Sequence, residues 1–371
     1  MISAGIGSIG SLPQQRPEAF DAVAGVSRAD LADPSIVEAI QAYVARHPQG
    51  SAFHRPAWSR AVERGCRQTA HYMVAEKGGA IVGLLPLTEM HSPLFGRALV
   101  SAGFAVGGGP IGDDAATIDR LAEAGWTLAE RLCCPSLELR GGTLPGGEGW
   151  HVERGIHAGF SRPLAADDAA ELLAIPRKQR AEVRRAQSFD LTVSVGRAEA
   201  DRTAHYAVYA ESVHNLGTPV FPRALFDAVL DGFGDDADIL TVSRGGEPLA
   251  SVLSLYHKGV VMPYWGGGTA TARTWRANDM MYYALMLHAR RRGCDRFDFG
   301  RSKVGTGAFA FKRNWGFEPV PLAYAVRTAD GQEPREINPL SPKYRLQVAL
   351  WRKLPLALAN RIGPWIAKGL G

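Results

Sequence analysis

Cysteine is scarce in this chain of 371 residues, with four thiols at Cys66, Cys133, Cys134 and Cys294. None of them forms a Cys-x-x-Cys pair, so zinc-ribbon and thioredoxin-type sites have no ligand set. So few thiols in so long a chain exclude a disulfide scaffold and point to a reducing compartment. Long apolar runs are missing too. A spanning helix needs about 18–20 uninterrupted apolar residues, and the nearest approach, 354–370, is broken by Asn360, Arg361, Gly363, Pro364 and Lys368. The first twenty residues lack a basic start, their first cation being Arg16, and Gly5, Gly7 and Gly10 dilute their apolar content. No signal peptide is expected there, and the predicted compartment is the cytoplasm. His-Glu-x-x-His, Gly-x-Ser-x-Gly and P-loop motifs are absent, which leaves His205, His214 and His288 without a nucleophile or metal partner in any recognisable pattern.

What is present is ordinary globular material: 46% hydrophobic and 21% charged residues. The length is about twice that of a common domain, so two core-bearing units are expected. The net charge of +5 is unevenly placed. Residues 335–371 hold Arg335, Lys343, Arg345, Arg352, Lys353, Arg361 and Lys368 against Glu336, so the tail carries +6 and the rest of the chain −1.

The chain also repeats itself. FHRPAWSRAVE (53–63) is echoed by FPRALFDAVL (221–230), and YMVAEKGGAIVGLLPL (72–87) by LTVSRGGEPLASVLSL (240–255). Each member of the second pair reads as a β-hairpin, two alternating apolar runs joined by a Gly-containing turn. At a shift of 160, Gly107 and Gly108 fall on Gly267 and Gly268, Cys134 on Cys294, and LEL (137–139) on FDF (297–299). Between these landmarks, 115–132 and 276–292 show apolar residues at helical spacing. Each copy thus runs helix, hairpin, strand, Gly-rich loop, helix, strand, which predicts a mixed α/β sheet and a tandem duplication.

This order, with FDFGRSKVGTGAFAFKRNWGFEP (297–319), RKQRAEVRRA (177–186), GTPVFPRALFDAV (217–229) and YWGGGTATARTWRANDMMYYALM (264–286), resembles the FemAB family of doubled GNAT acyltransferases. FHRPAWSRAV, IVGLLPL and LFGRALVSAGFAVGGGP in the first copy are similar to the branch associated with exosortase/PEP-CTERM gene clusters. The resemblance spans roughly 50–360. It implies an α/β (α+β) fold of two tandem GNAT-like domains, each a mixed, mostly antiparallel sheet flanked by helices, with a basic helical tail. The corresponding boundaries are 1–29 for an extension, 30–165 for a structural copy, 166–330 for a catalytic copy and 331–371 for the tail. The implied activity is transfer of an aminoacyl or acyl group to an amine of a cell-envelope precursor, related to peptidoglycan or exopolysaccharide. No cofactor is expected to be resident, and the donor is aminoacyl-tRNA or an acyl-CoA. The alternatives are a CoA-dependent N-acetyltransferase acting on an amino sugar and a non-catalytic scaffold in exopolysaccharide assembly.

Acyl transfer passes through an oxyanion, which demands a preorganised donor or positive charge. Lys312 matches the lysine of the family's Phe-Lys motif, and the plain alternative is a surface lysine. Asp298 is a candidate to orient that lysine or to take the acceptor's proton. Arg301, with Ser302 and Lys303 beside it, suits a phosphate or carboxylate clamp; an Asp298–Arg301 ion pair closing a strand end is the competing reading. Gly305 and Gly307 permit close backbone approach or simply build a turn. Arg177, Arg180 and Arg184 fall on one helix face and suit phosphates of tRNA or of a diphosphate headgroup, against a solvated charged face. Tyr264, Asn278 and Tyr283 are candidates for the acceptor groove, against plain core packing. The usual acetyl-CoA loop of GNAT enzymes, Arg/Gln-x-x-Gly-x-Gly/Ala after the fourth strand, is replaced by GGGTATARTWRAN (266–278). No metal ligands are assigned.

In the tail, Leu346, Leu350 and Leu354 and then Leu358, Ile362 and Trp365 recur at helical spacing among the cations. A basic helix of this kind suits either an anionic membrane surface, reached through 343–370 on the inner face of the plasma membrane, or docking on its own domain. The sequence leaves oligomeric state and general base open.

Overall fold

A computed structural model describes residues 24–332 and 342–371. Most of the extension, up to residue 23, lies outside the described residues, as do Arg335 and Glu336 and the side chains of Lys343, Arg345 and Leu346. The first half of the chain contains β1 (Gly25–Ala29), α1 (Pro34–Arg46), α2 (Pro56–Cys66), the hairpin β2 (Thr69–Lys77) and β3 (Ala80–Ser92), β4 (Gly96–Ser101), the short β5 (Ile111–Gly112), α3 (Ala115–Arg131), β6 (Ser136–Arg140) and β7 (His151–Pro163). Two helices follow, α4 (Asp168–Ala174) and α5 (Arg177–Gln187). The second half repeats the order as β8 (Thr192–Gly196), α6 (Glu199–Leu216), α7 (Arg223–Phe233), β9 (Ala237–Arg244), β10 (Glu247–His257), β11 (Val260–Gly268), α8 (Ala277–Arg291), β12 (Arg296–Lys303), α9 (Gly307–Asn314) and β13 (Pro319–Thr328). The tail forms α10 (Pro342–Trp351) and α11 (Leu356–Ala367).

Local chemistry sets these bounds. Asp114 caps α3 by accepting from the Thr117 amide, and Thr306 caps α9 by accepting from the Phe309 amide. Proline opens α1 and α2, where its missing N–H costs nothing. The hairpin turns place Gly78, Gly79, Gly245 and Gly246 at positive φ, the conformation that a tight reversal requires. α2 ends at Arg67 and α6 at Gly217, both left-handed.

Among the described residues, twelve strands form one continuous sheet in the order β1-β2-β3-β4-β6-β13-β7-β12-β11-β10-β9-β8, with β5 attached to β3. The halves mirror each other about the β13–β7 pair and exchange their last strands. β13, from the second half, pairs antiparallel with β6 of the first, while β7 pairs with β12 of the second. In each half the single parallel pairing is short. β4 meets β6 at Leu99↔Leu137 and Val100↔Glu138, and β11 meets β12 at Val260↔Arg296 and Val261↔Phe297, after which the strands part.

The equivalent helices α2 and α7 pack face to face across the junction. A Cβ on Gly65 would lie 2.3 Å from the Leu225 Cα, so this close approach depends on glycine. The core beneath them is shared by both halves: Trp58 is fully buried, stacks on Trp265 at 5.9 Å and donates to the Gly103 carbonyl at 3.0 Å. Arg55 and Arg64 bind Asp236 and Asp231 of the other half. The paired cysteines divide, Cys134 buried before β6 and Cys133 exposed at φ 53°.

Candidate functional site

The parting of β11 from β12 opens the second half at the middle of the sheet. Two irregularities lie at this gap. On β11 the register with β10 slips between Trp265 and Pro263, which makes Tyr264 an inserted, bulged residue. On β12, Asp298 faces Ser161 and Arg301 faces Gly159, so Phe299 and Gly300 form a second bulge, with Gly300 at φ 64°. Bulges re-aim side chains, and here both aim into the same space. The result is a cavity of about 280 Å³ lined by Tyr264 and Trp265 of β11, Asp298 to Arg301 of β12, Tyr282 of α8 and Lys312 of α9. A second cavity, also about 280 Å³, reaches the same β12 bulge from the side of Ser51, His54, Gly107 and Gly108. Asp298, Gly300, Arg301, Val106 and Met262 line both.

The Lys312 side chain runs from the last turn of α9 back under β12. Its Nζ donates to the Phe299 carbonyl at 2.6 Å and to the Arg301 carbonyl at 2.8 Å, and it lies 5.4 Å from the centre of the Phe160 ring. Two of its three N–H bonds are thereby fixed by the bulge. Burial pushes its pKa down to about 8, opposed by the Asp298 charge. Asp298 is itself raised above the usual carboxylate range by burial, and its Oδ1 accepts from the Gly300 amide at 2.7 Å. Arg301 turns to the Tyr324 hydroxyl at 2.7 Å rather than closing an ion pair with Asp298. Tyr324 in turn donates to the Val106 carbonyl, and Tyr264 donates to the Phe104 carbonyl at 2.6 Å. These two tyrosines fasten the first half's loop, 102–110, as a wall of the second half's cavity.

The matching gap in the first half is closed. At the shift of 160, Arg140 stands where β12 has Gly300, and Glu138 where it has Asp298. Arg140 is buried, binds Glu138 at 2.9 Å and donates to the Ala105 carbonyl at 3.3 Å, so its guanidinium fills the space and neutralises the acid.

Lys312, Asp298, Arg301 and Tyr264 meet at the cavity. The other sequence candidates lie elsewhere. The Ser302 hydroxyl is buried on the other side of β12, and Lys303 ends that strand. Gly305 is in the turn to α9 at φ 80°, and Gly307 begins that helix with open space where a Cβ would stand. Tyr283 points away, its hydroxyl on the Asp168 carbonyl, and its neighbour Tyr282 takes the cavity wall. Asn278 packs on Gly268 and, with Ser212 on Gly267, accounts for the glycine run: a Cβ at either glycine would strike these side chains at 2.6 and 2.3 Å. Arg177 and Arg184 are exposed on α5, and Arg180 donates to the Leu173 carbonyl, outside both cavities. Phe104, Val106 and Tyr282 lie within the family-like segments but nothing marked them as site residues, and Tyr324 lies beyond those segments; the Arg140–Gly300 mismatch between the copies was the one available signal.

The segment from β11 to α8 (269–276) carries Arg273 and Arg276 and is flanked by acids of two helices. Glu211 accepts from the Ala270 amide at 2.7 Å, and Asp279 sits in the first turn of α8, bonded to Gln179. Arg276 is committed to Glu182. A phosphate drawn to the start of α8 would meet Asp279 in its first turn.

Residues 176–313 match the family described as "Acetyltransferase (GNAT) domain". No curated protein matches the chain by sequence. Among solved structures, FemX is similar at 15% identity, covering 78% of this chain and 95% of its own, with a TM-score of 0.61. The C-terminal domain of a protein assigned as a lysylphosphatidylglycerol synthetase from Agrobacterium fabrum is similar at 17% identity, covering 79% and 92%, with a TM-score of 0.56. A tandem GNAT protein from the clavulanic acid biosynthesis pathway is similar at 12% identity, covering 84% and 100%, with a TM-score of 0.54. These likenesses establish the fold, two GNAT-like units in tandem.

Proposed function

We propose that the protein is an acyltransferase that moves an aminoacyl group onto the amine of a cell-envelope precursor, with the chemistry in the second GNAT-like unit. The observation that carries this is Lys312: a buried cation held by two backbone carbonyls of a bulge, with its remaining N–H beside a cavity at the parted strands. The acceptor amine attacks the acyl carbonyl, a C–N bond forms, and the bond to the donor's leaving oxygen or sulfur breaks. Lys312 stabilises the oxyanion of the tetrahedral centre, and its fixed position means that little reorganisation is needed as the charge appears. Asp298, desolvated and therefore a stronger base than a surface carboxylate, takes the proton that the amine loses. Arg301 and the aromatic walls orient donor and acceptor along the two cavities that join at the bulge.

Aminoacyl-tRNA is favoured over coenzyme A as donor by the replacement of the usual GNAT coenzyme A loop with GGGTATARTWRAN (266–278), and by Asp279 in the first turn of the helix that follows. The names of FemX and of the lysylphosphatidylglycerol synthetase support an envelope acceptor. The FemAB-like, exosortase-associated reading, with a peptidoglycan or exopolysaccharide precursor as acceptor, rests on the motifs of the sequence. Exposed Arg177 and Arg184 supply a basic face for tRNA phosphates on the same unit.

The test is turnover and binding measured together. Lys312→Met is expected to lower kcat/KM by about 10²–10³, the cost of one oxyanion donor, while the thermal shift produced by charged tRNA is retained. Turnover unchanged in this variant would remove the proposed chemistry. A thermal shift with acetyl-CoA and none with charged tRNA would replace the donor with an acyl-CoA.

A further inference from the structure

The tail resolves into two faces. On α11, Ala359, Gly363 and Ala367 are buried against the body, Gly363 close to Val220. Beyond the helix, Gly369 packs on Ser92 and Gly371 on the Phe104 ring. Gln68 secures the segment by donating to the Lys368 carbonyl at 2.7 Å. The face turned away from this contact carries Leu358, Ile362 and Trp365, which are 45%, 36% and 52% exposed. These residues follow at i, i+4 and i+7, one stripe of a helix. Leu350 of α10 is 57% exposed, and Leu216, whose carbonyl accepts from Arg352, is 65% exposed beside it.

Large side chains outside and small ones inside invert the order expected of a helix that serves its own core. The charge around the stripe has one sign: Arg352, Lys353 and Arg361 are exposed, and residues 337–371 contain no acid. A second copy docked here about a two-fold axis would bring this basic patch against its own equivalent, a like-charge contact that costs affinity. A negatively charged, apolar-backed surface has no such conflict.

We infer that α10 and α11 form a docking face for an anionic lipid bilayer, with Leu358, Ile362 and Trp365 entering the boundary between headgroups and acyl chains and Arg352, Lys353 and Arg361 meeting the lipid charge. The face also sits beside the chemistry. Phe104, against which Gly371 packs, lines the Lys312 cavity, as does Phe221, next in the chain to Val220 under Gly363. Docking therefore sets the cavity wall one helix away from the membrane, near where a lipid-borne acceptor would be presented; this last consequence rests on the transferase reading.

The experiment is co-sedimentation of the full chain with phosphatidylcholine vesicles, with and without phosphatidylglycerol. Binding is expected with the anionic vesicles and is expected to weaken with salt. Trp365→Ser and Ile362→Ser should abolish it, and Arg361→Gln should weaken it about fivefold, the worth of one basic residue near such a surface. Arg361→Gln alters an exposed side chain, so it remains informative if an apolar variant fails to fold. Absence of binding to anionic vesicles, or equal binding by the variants, overturns the proposal. So does a concentration-dependent dimer in sedimentation velocity that Trp365→Ser dissolves, which would assign the face to a second copy. The assay reads binding without turnover, so its failure and that of the transferase chemistry are separable.

Discussion

Lys312 is asked to keep a charge in a place that disfavours one. Burial lowers its pKa to about 8 from the ordinary 10.5, and two carbonyls and the Asp298 charge hold it short of neutrality. If the protonated amine is the oxyanion donor, kcat/KM must fall as pH rises through about 8, tenfold per unit once the lysine is mostly neutral. Lys312→Arg, which stays charged throughout, should move that limb upward even while lowering the plateau, because a planar guanidinium cannot reproduce an ammonium's contacts. A pH–rate profile of both proteins decides it; a limb that stays in place belongs to another group. Stability runs in the opposite sense. The unfolded chain keeps this proton up to about 10.5 and the folded one releases it near 8, so the lysine's cost to the fold is present at neutral pH and relieved between those values. The same Lys312→Met that removes turnover should therefore keep or raise the Tm at pH 7. Lys312 and Asp298 stood out in the sequence through their motif, whereas Tyr282 and Tyr324 did not, because a wall residue is defined by what folds opposite it.

Among the elements, the parts legible in advance were those whose signal is local. Both hairpins and both equivalent helices, α3 and α8, follow from alternation, 3.6-residue spacing and turn glycines. The glycine run after β11 was legible as a loop but not as packing, since Ser212 and Asn278 come from two other helices. The α2–α7 contact was hidden for the same reason, although the repeat had already paired their sequences. Gly65 carries that contact. Gly65→Ala adds one methyl where the Leu225 backbone already stands, and the two helices must separate to admit it. Overpacking of this kind costs about 1–3 kcal/mol, and separating α2 from α7 also disturbs Trp58 and Trp265 beneath them. A urea titration should show the midpoint falling with the slope unchanged, and Leu225→Ala on top of Gly65→Ala should recover nothing, because the atoms struck are the Leu225 Cα, N and Cβ, which alanine keeps. An unchanged midpoint in Gly65→Ala would mean that the helices slide freely.

At the scale of the whole molecule, the exchange of β7 and β13 matters more than the duplication that precedes it. Two copies joined by a linker would each own a sheet and could open separately. Here β13 closes the first half's sheet through β6 and the second half's through β7, and β7 pairs with β12. Neither half retains its central edge without a strand from the other, and an unpaired central strand exposes a row of N–H and C=O groups at a cost no surface loop carries. The core repeats this dependence, since Phe53 and Trp58 of the first half share one cluster with Phe226 and Trp265 of the second. The repeat was visible in the sequence because it preserves residues, and the exchange was not, because swapping two strands of similar pattern leaves the pattern intact. The chain should consequently melt in one transition, with calorimetric and van't Hoff enthalpies in agreement despite a length at which two transitions are common. Tyr324→Ala, which removes a side chain bridging Arg301 and the Val106 carbonyl at this seam, should lower that single Tm without splitting it. Two resolved transitions in either protein would mean that the halves hold their sheets independently, and that the cavity wall lent by loop 102–110 to the second half can detach while the Lys312 bulge stays folded.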